Sequence, residues 1–306
     1  MKNKRIPTAL LLCLALMLAS AAPILAYGAA PVAENAELET YRGVSVGGQL
    51  KATDPDGDAL RFELLTPPAK GTVDLGEDGH FVYTPESGKR GRDYFGYRAV
   101  DPDGNASQEA TVIIKIQKQK TKVSYADTAG TAAEYAALRL AEEGLFTGSN
   151  LAGQYVFEPE REVTREEFLA MCVRLAGLPV LSGATLTGFS DNAAIAVWAR
   201  PYVGAALREG VISGSAGATG KALFEPERSV TAAEAAVMLD RALGLTDAIA
   251  AWYAWDDAVP AWAVQSAANV SSCGLAPAGL RFDGQSLTRA DAAQMLVAAM
   301  KLLDRR

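Results

Sequence analysis

Three strings carry the most legible chemistry in this chain: Thr164-Arg-Glu-Glu167, Thr231-Ala-Ala-Glu234 and Thr288-Arg-Ala-Asp291. A Thr followed three residues later by an acid is the capping-box arrangement. The hydroxyl accepts the backbone N–H three residues on, and the acid reaches back to the Thr N–H. Capping alone explains that spacing, so each string is expected to start a helix. Arg165 and Arg289 have no such reason to be there, because a cation in the first turn opposes the helix macrodipole by roughly 0.3–1 kcal/mol. Beside exposed backbone N–H groups, a guanidinium makes a local anion site and can hold a carboxylate through two parallel hydrogen bonds. The plainer reading is an Arg that is solvated or paired with a neighbour such as Glu162.

A second set of carboxylates, Asp54, Asp56 and Asp58, has the one-three-five spacing that suits a hard cation such as Ca²⁺. No Glu follows at the twelfth position of a full EF-hand loop, and Asp54-Pro-Asp-Gly-Asp58 is also good turn chemistry without a metal. His80 is the single histidine. It excludes His-rich metal sites and leaves His-based acid–base catalysis to one residue. There is no nucleophile elbow and no paired set of metal ligands, so no catalytic residue is assigned. A carboxylate pair meeting in space for glycoside cleavage stays open as a lesser alternative.

The elements that must position these residues come from comparing the chain with itself. Three copies of one pattern begin at Tyr125-Ala-Asp127, Phe189-Ser-Asp191 and Trp255-Asp-Asp257. Each runs into an Ala-rich helix ending at a C-cap glycine followed by an apolar residue: Gly144-Leu145, Gly210-Val211 and Gly274-Leu275. Then come Phe157-Glu-Pro159, Phe224-Glu-Pro226 and Phe282-Asp-Gly284, and after them the Thr boxes. Apolar residues recur four, seven, eight and eleven places after each Thr, which is one helix face written three times. Cys172 stands where the other copies have Leu239 and Leu296, so it reads as a buried apolar residue. Twelve residues before the capping glycine stand Trp198 and Trp262 in copies two and three, and Ala132 in copy one. An indole there either stacks on a sugar ring or packs into the core. Asp127, Asp191 and Asp257 either cap a helix or turn or face a ligand.

The preceding region has another period. Residues 31–117 read as short strands between turn residues, with Val112, Ile114 and Ile116 alternating and Gly76-Glu-Asp-Gly79 closing a hairpin between Gly71-Thr-Val-Asp-Leu75 and Phe81-Val-Tyr83. Those 87 residues suit one antiparallel sandwich. Residues 118–124, rich in Lys and Gln, read as a linker. At the start, Lys2, Lys4 and Arg5 precede an uncharged stretch from Ala9 to Ala22, the pattern of a secretory signal peptide over residues 1–28. Losing those three cations moves the formal charge from −7 to −10, which excludes a nucleic-acid surface spread over the molecule. Export with only Cys172 and Cys273 remaining argues against a disulfide scaffold.

Two families match these motifs. Leu50-Lys-Ala-Thr-Asp-Pro-Asp-Gly-Asp-Ala-Leu60, Pro68-Ala-Lys-Gly-Thr-Val73, Gly79-His-Phe-Val-Tyr-Thr-Pro85 and Asp93-Tyr-Phe-Gly-Tyr97, in that order, resemble the cadherin-like, immunoglobulin-type repeats of bacterial surface proteins, in which such Asp turns sometimes hold Ca²⁺. The triplicate pattern resembles S-layer homology (SLH) domains over 125–180, 187–246 and 253–303. The resemblance implies a multidomain fold, an all-β Ig-like sandwich followed by an all-α pseudo-threefold SLH triplet. It also implies a non-enzymatic protein at the bacterial cell wall, bound noncovalently to secondary cell-wall polysaccharide bearing acidic pyruvate ketals. Arg165, Arg289, Trp198, Trp262, Asp127, Asp191 and Asp257 are the residues expected to meet that polymer, with Ala232 weakening one groove. No membrane contact is expected after signal cleavage. A calcium-stabilised module binding another surface protein, and a small wall-modifying enzyme, are the alternatives.

Overall fold

The computed structural model describes residues 28–180, 182–183, 185–217, 220–253, 255, 258–277 and 279–304, so the expected signal peptide lies outside the described residues but for Gly28. Alternating side chains shape the described residues of the first half into nine strands: β1 (Val32–Ala33), β2 (Ala36–Tyr41), β3 (Val46–Gln49), β4 (Ala52–Thr53), β5 (Arg61–Thr66), β6 (Gly71–Leu75), β7 (His80–Pro85), β8 (Gly91–Val100) and β9 (Ala110–Gln117). They form a four-stranded sheet, β2-β9-β8-β5, a three-stranded sheet, β3-β7-β6, and the small pair β1-β4. All pairs are antiparallel except β2 with β9, which run parallel from Ala36↔Val112 to Tyr41↔Gln117. Ala110, Val112, Ile114 and Ile116 face inward and meet Phe81, Tyr83, Phe95 and Tyr97, all buried. Buried Asp93 is satisfied by the Tyr83 hydroxyl at 2.8 Å and the amides of Ala69 and Lys70. The hairpin between β6 and β7 turns where the glycines placed it, with Gly76 N–H donating to His80 O at 2.8 Å.

The second half contains six α-helices among the described residues, two per sequence copy. These are α1 (Glu134–Glu142) and α2 (Arg165–Leu175), α3 (Arg200–Arg208) and α4 (Ala232–Leu243), and α5 (Val264–Ser272) and α6 (Arg289–Leu303). Short hairpins join the pair in copies one and two, β10 (Ser149–Leu151) with β11 (Gln154–Val156) and β12 (Ser215–Ala216) with β13 (Ala222–Leu223). First helices end as expected. Gly144, Gly210 and Gly274 take left-handed φ of 64°, 72° and 67°, which frees the next amide to reach back: Leu145 to Leu140, Val211 to Ala206 and Leu275 to Val270. Cys172, Leu239 and Leu296 are all fully buried.

The copies interlock. Helix α3 packs on α2, α5 on α4, and α1 on α6. Where the three second helices start, three backbone bonds run in a circle: Val163 N–H to Leu287 O at 3.0 Å, Leu287 to Val230 at 2.8 Å and Val230 to Val163 at 2.9 Å. All three residues are buried, so each copy completes the polar pairing that the next one needs.

Residues 118–124 are tied down rather than free. The Lys120 amide donates to Glu142 on α1 at 2.5 Å, and the Tyr41 hydroxyl at the end of β2 donates to the same carboxylate at 2.5 Å. Edge strand β3 lies against the head of α1, with Ser45 N–H on Glu134 Oε2 and Tyr135 N–H on Ser45 O.

Candidate functional site

Each second helix begins with its Thr in extended conformation. Thr164 and Thr231 make both bonds of the capping box with Glu167 and Glu234. In copy three the Thr288 hydroxyl accepts the Asp291 amide, while the shorter Asp291 side chain takes that hydroxyl at 2.6 Å. The next amides are used too. Arg165 and Glu166 donate to Arg228 O and Pro226 O, and Arg289 and Ala290 to Arg161 O and Pro159 O. The first-turn N–H groups expected to be exposed beside an anion are therefore spent on carbonyls of a neighbouring copy.

The arginines follow the same logic, which corrects the expectation of two free anion clamps. Arg165 donates through Nε to Phe224 O at 2.9 Å, pairs with Glu234 at 2.9 Å and lies over the Phe224 ring. Arg289 donates to Phe157 O and to Glu158, each at 2.8 Å, and lies over the Phe146 ring. Both residues are 6% exposed. Burial pulls the Arg165 guanidinium below its ordinary value, against the opposing pull of Glu234. Burial likewise pushes the Glu234 carboxyl up, but Arg228 and Arg165 outweigh that and hold it below the usual range. The physical reason for the first-turn cation is thus long-range: it binds the Phe-x-Pro loop of the next copy. Glu162, the partner considered for Arg165, instead accepts the Ser229 hydroxyl.

Asp127 and Asp191 hold the same loops from the other side. Asp127 accepts the amides of Phe157 and Glu158, and Asp191 those of Phe224 and Glu225. Glu158 and Glu225 sit at φ of 56° and 59°, a left-handed turn that non-glycine residues hold only at a cost. These aspartates stabilise that turn; Asp257 lies outside the described residues. The repeated Phe-Glu-Pro string was the visible signal for the turn, but nothing local to it says that an Asp some 30 residues earlier would grip it.

The tryptophans behave differently. Trp198 is 52% exposed and Trp262 59%, each in the turn just ahead of a first helix. The turn itself is well anchored. Ile195 and Ala199 are buried on either side of Trp198, and the Ala196 amide donates to Glu166 Oε2 of the preceding copy at 3.1 Å. Burial, with Glu227 and Glu167 nearby, raises the Glu166 carboxyl above its ordinary value despite that bond. In copy three, buried Ala263 closes the turn onto Pro260 O at 2.8 Å. Two indoles are therefore carried on anchored backbone and left more than half exposed, which suits stacking on a flat apolar ligand surface such as a sugar ring.

Burial raises the Asp58 carboxyl above its ordinary value, and the neighbouring charges of Asp54, Asp103, Asp101 and Asp56 raise it further. Asp54 Oδ1 accepts the amides of Asp56 and Asp58, an ordinary Asx turn, and Asp56 Oδ2 accepts Ala29 N–H at 2.6 Å. Asp54 Oδ2 is buried without a partner. Among the described residues, no group of three or more His, Cys, Asp or Glu side chains is arranged to hold a metal ion. His80 pairs with Asp78 of its own hairpin at 2.9 Å. It also borders an open cleft of about 920 Å³ between the sandwich and the helices, lined by Gly47, Ala132, Cys273, Asp291 and Gln294 among others.

Comparison with known proteins divides the chain along the same line. The family model for the bacterial cadherin-like domain matches residues 28–118, and that for the S-layer homology domain matches residues 188–236. No curated protein matches. Among solved structures, an adhesin from Streptococcus sanguinis shares 18% identity over 33% of this chain and 67% of its own, with a TM-score of 0.26. An endo-fucoidan hydrolase of glycoside hydrolase family 107 shares 18% over 31% of this chain, with a TM-score of 0.25, and the match spans only 14% of that enzyme's length. A SusE-like surface polysaccharide-binding protein from Bacteroides thetaiotaomicron shares 15% over 32% of this chain and 16% of its own, with a TM-score of 0.23. Among the described residues no helix is long and apolar enough to cross a membrane. Residues 28–118 are thus similar to a bacterial cadherin-like domain and residues 188–236 to an S-layer homology domain.

Proposed function

We propose that all three copies are SLH repeats, closing into a pseudo-threefold unit that holds this protein noncovalently on an anionic, pyruvylated cell-wall polysaccharide while the sandwich is displayed as a non-catalytic surface module. The observation that carries this reading is the pair of exposed, backbone-anchored tryptophans at equivalent positions of copies two and three. The circle of backbone bonds through Val163, Leu287 and Val230 supports the closed triplet. Arg165, Arg289, Asp127 and Asp191 then shape the grooves from within, and the polymer meets Trp198 and Trp262. At long range the acidic chain repels an anionic polymer, so attraction is local and gains from two platforms acting together.

Co-sedimentation of the protein with purified walls tests this directly. Trp198→Ala and Trp262→Ala are each expected to weaken binding about tenfold, on the order of 1 kcal/mol of stacking, and the double variant to abolish it. Removal of pyruvate from the walls should have the same effect as the double variant. Undiminished binding by the double variant would reject the platforms, and undiminished binding to depyruvylated walls would reject the acidic ketal.

A further inference from the structure

The two exposed tryptophans have no third member, because copy one carries Ala132 at that position. Strand β3 of the sandwich passes directly over it. A Cβ built on Gly47 would fall 2.4 Å from the Ala132 Cβ and 3.0 Å from its Cα, so β3 approaches Ala132 too closely for any side chain at position 47. Around this point the contact is specific. Ser45 bonds Glu134 and Tyr135 at the head of α1, the Tyr41 and Tyr135 rings pack with centroids 5.1 Å apart, and Tyr41 and Lys120 share the Glu142 carboxylate. An indole at position 132 would have to push β3 aside or turn into the cleft that Gly47 and Ala132 border.

We infer that the sandwich occupies in cis the surface of copy one that corresponds to the Trp198 and Trp262 platforms, so the chain offers two open platforms and one closed by its own N-terminal domain. The count of two rests on the polymer reading above; the closure itself does not. Pairing glycine with alanine is what lets a sheet edge replace a ligand there, and the same contact fixes the direction in which the sandwich is displayed.

The test uses the full chain with Ala132→Trp, and separately Gly47→Trp, which enlarges the contact from the opposite side. Each is expected to lift the sandwich off and release the segment 118–124 from Glu142, so that Lys118, Lys120 and Lys122, exposed but held in place in the wild type, are cleaved by trypsin at least tenfold faster. Trp198→Ala should leave that rate unchanged. Cys172, buried in α2, must stay unreactive toward a thiol reagent in both variants, which shows that the helical half is still folded. Unchanged cleavage in both variants would overturn the inference, as would three binding sites per wild-type chain for a soluble fragment of pyruvylated wall polysaccharide. Two sites in the wild type and a third in Ala132→Trp would support it. If neither protein binds the fragment while cleavage still rises, the polymer reading fails and the closure stands.

Discussion

Arg165 shows how far a residue's local context can mislead. Judged against its own helix it is a misplaced cation, and judged against the next copy it is a buried donor that satisfies the Phe224 carbonyl and one side of Glu234. Arg165→Ala should therefore cost about 1–3 kcal/mol in denaturant unfolding, since it strands that carbonyl while Glu234 keeps Arg228. Arg165→Lys should recover only part of this, because an ammonium cannot reproduce the fork. Glu234 makes the junction sensitive to acid. Its folded carboxyl titrates below its ordinary value, so its contribution is full above about pH 4.5 and is lost as pH falls through the lower folded value. Glu234→Gln should flatten that part of the stability profile in thermal melts at stepped pH. At Asp54 the expectation is the absence of an effect. Because Asp54 Oδ1 holds the Asp56 and Asp58 amides as in a metal-free turn, melting in chelator and in millimolar Ca²⁺ should coincide, and a rise of several degrees with Ca²⁺ would mean that the three carboxylates gather around the ion.

At the scale of elements, what is legible in the sequence is what local chemistry decides. Helix starts, glycine stops, the β6–β7 hairpin and the alternating face of β9 each depend on residues a few places apart, and all stand where their spacing puts them. The interlocking of copies is not legible in this way, because Val163 finds its acceptor in Leu287, and neither residue carries a mark of the other. The exposure of Trp198 was equally open, since the same position suits a core or a ligand until the fold turns it outward. Differences among the three caps offer a graded test of the local part. Thr164→Ala and Thr231→Ala should each cost about 1 kcal/mol. Asp291→Glu, which lengthens the acid enough to reach back to the Thr288 amide, should gain on the order of half a kcal/mol by completing the box. A loss of stability in Asp291→Glu would show that the 2.6 Å bond to the Thr288 hydroxyl is the better use of that carboxylate.

Across the whole molecule, a small polar cluster joins the two halves beside the packed Tyr41 and Tyr135 rings. Glu142 is the hinge of that cluster. Burial raises its carboxyl, yet the bonds from Tyr41, the Lys120 amide and Arg139 together hold it below the usual range, so it is charged and fully engaged at neutral pH. Tyr41→Phe removes one of those donors without changing either core: the ring still faces Tyr135, and Lys120 and Arg139 still satisfy the carboxylate. The loss, about 1 kcal/mol, falls on the junction alone. In scanning calorimetry the wild-type chain should therefore melt with the sandwich and the helices coupled. Tyr41→Phe should separate them into two transitions whose enthalpies sum to the original, with the less stable half moving down and the other staying in place. Two resolved transitions already present in the wild type would show that the halves unfold independently and that the cluster orients the sandwich without stabilising it.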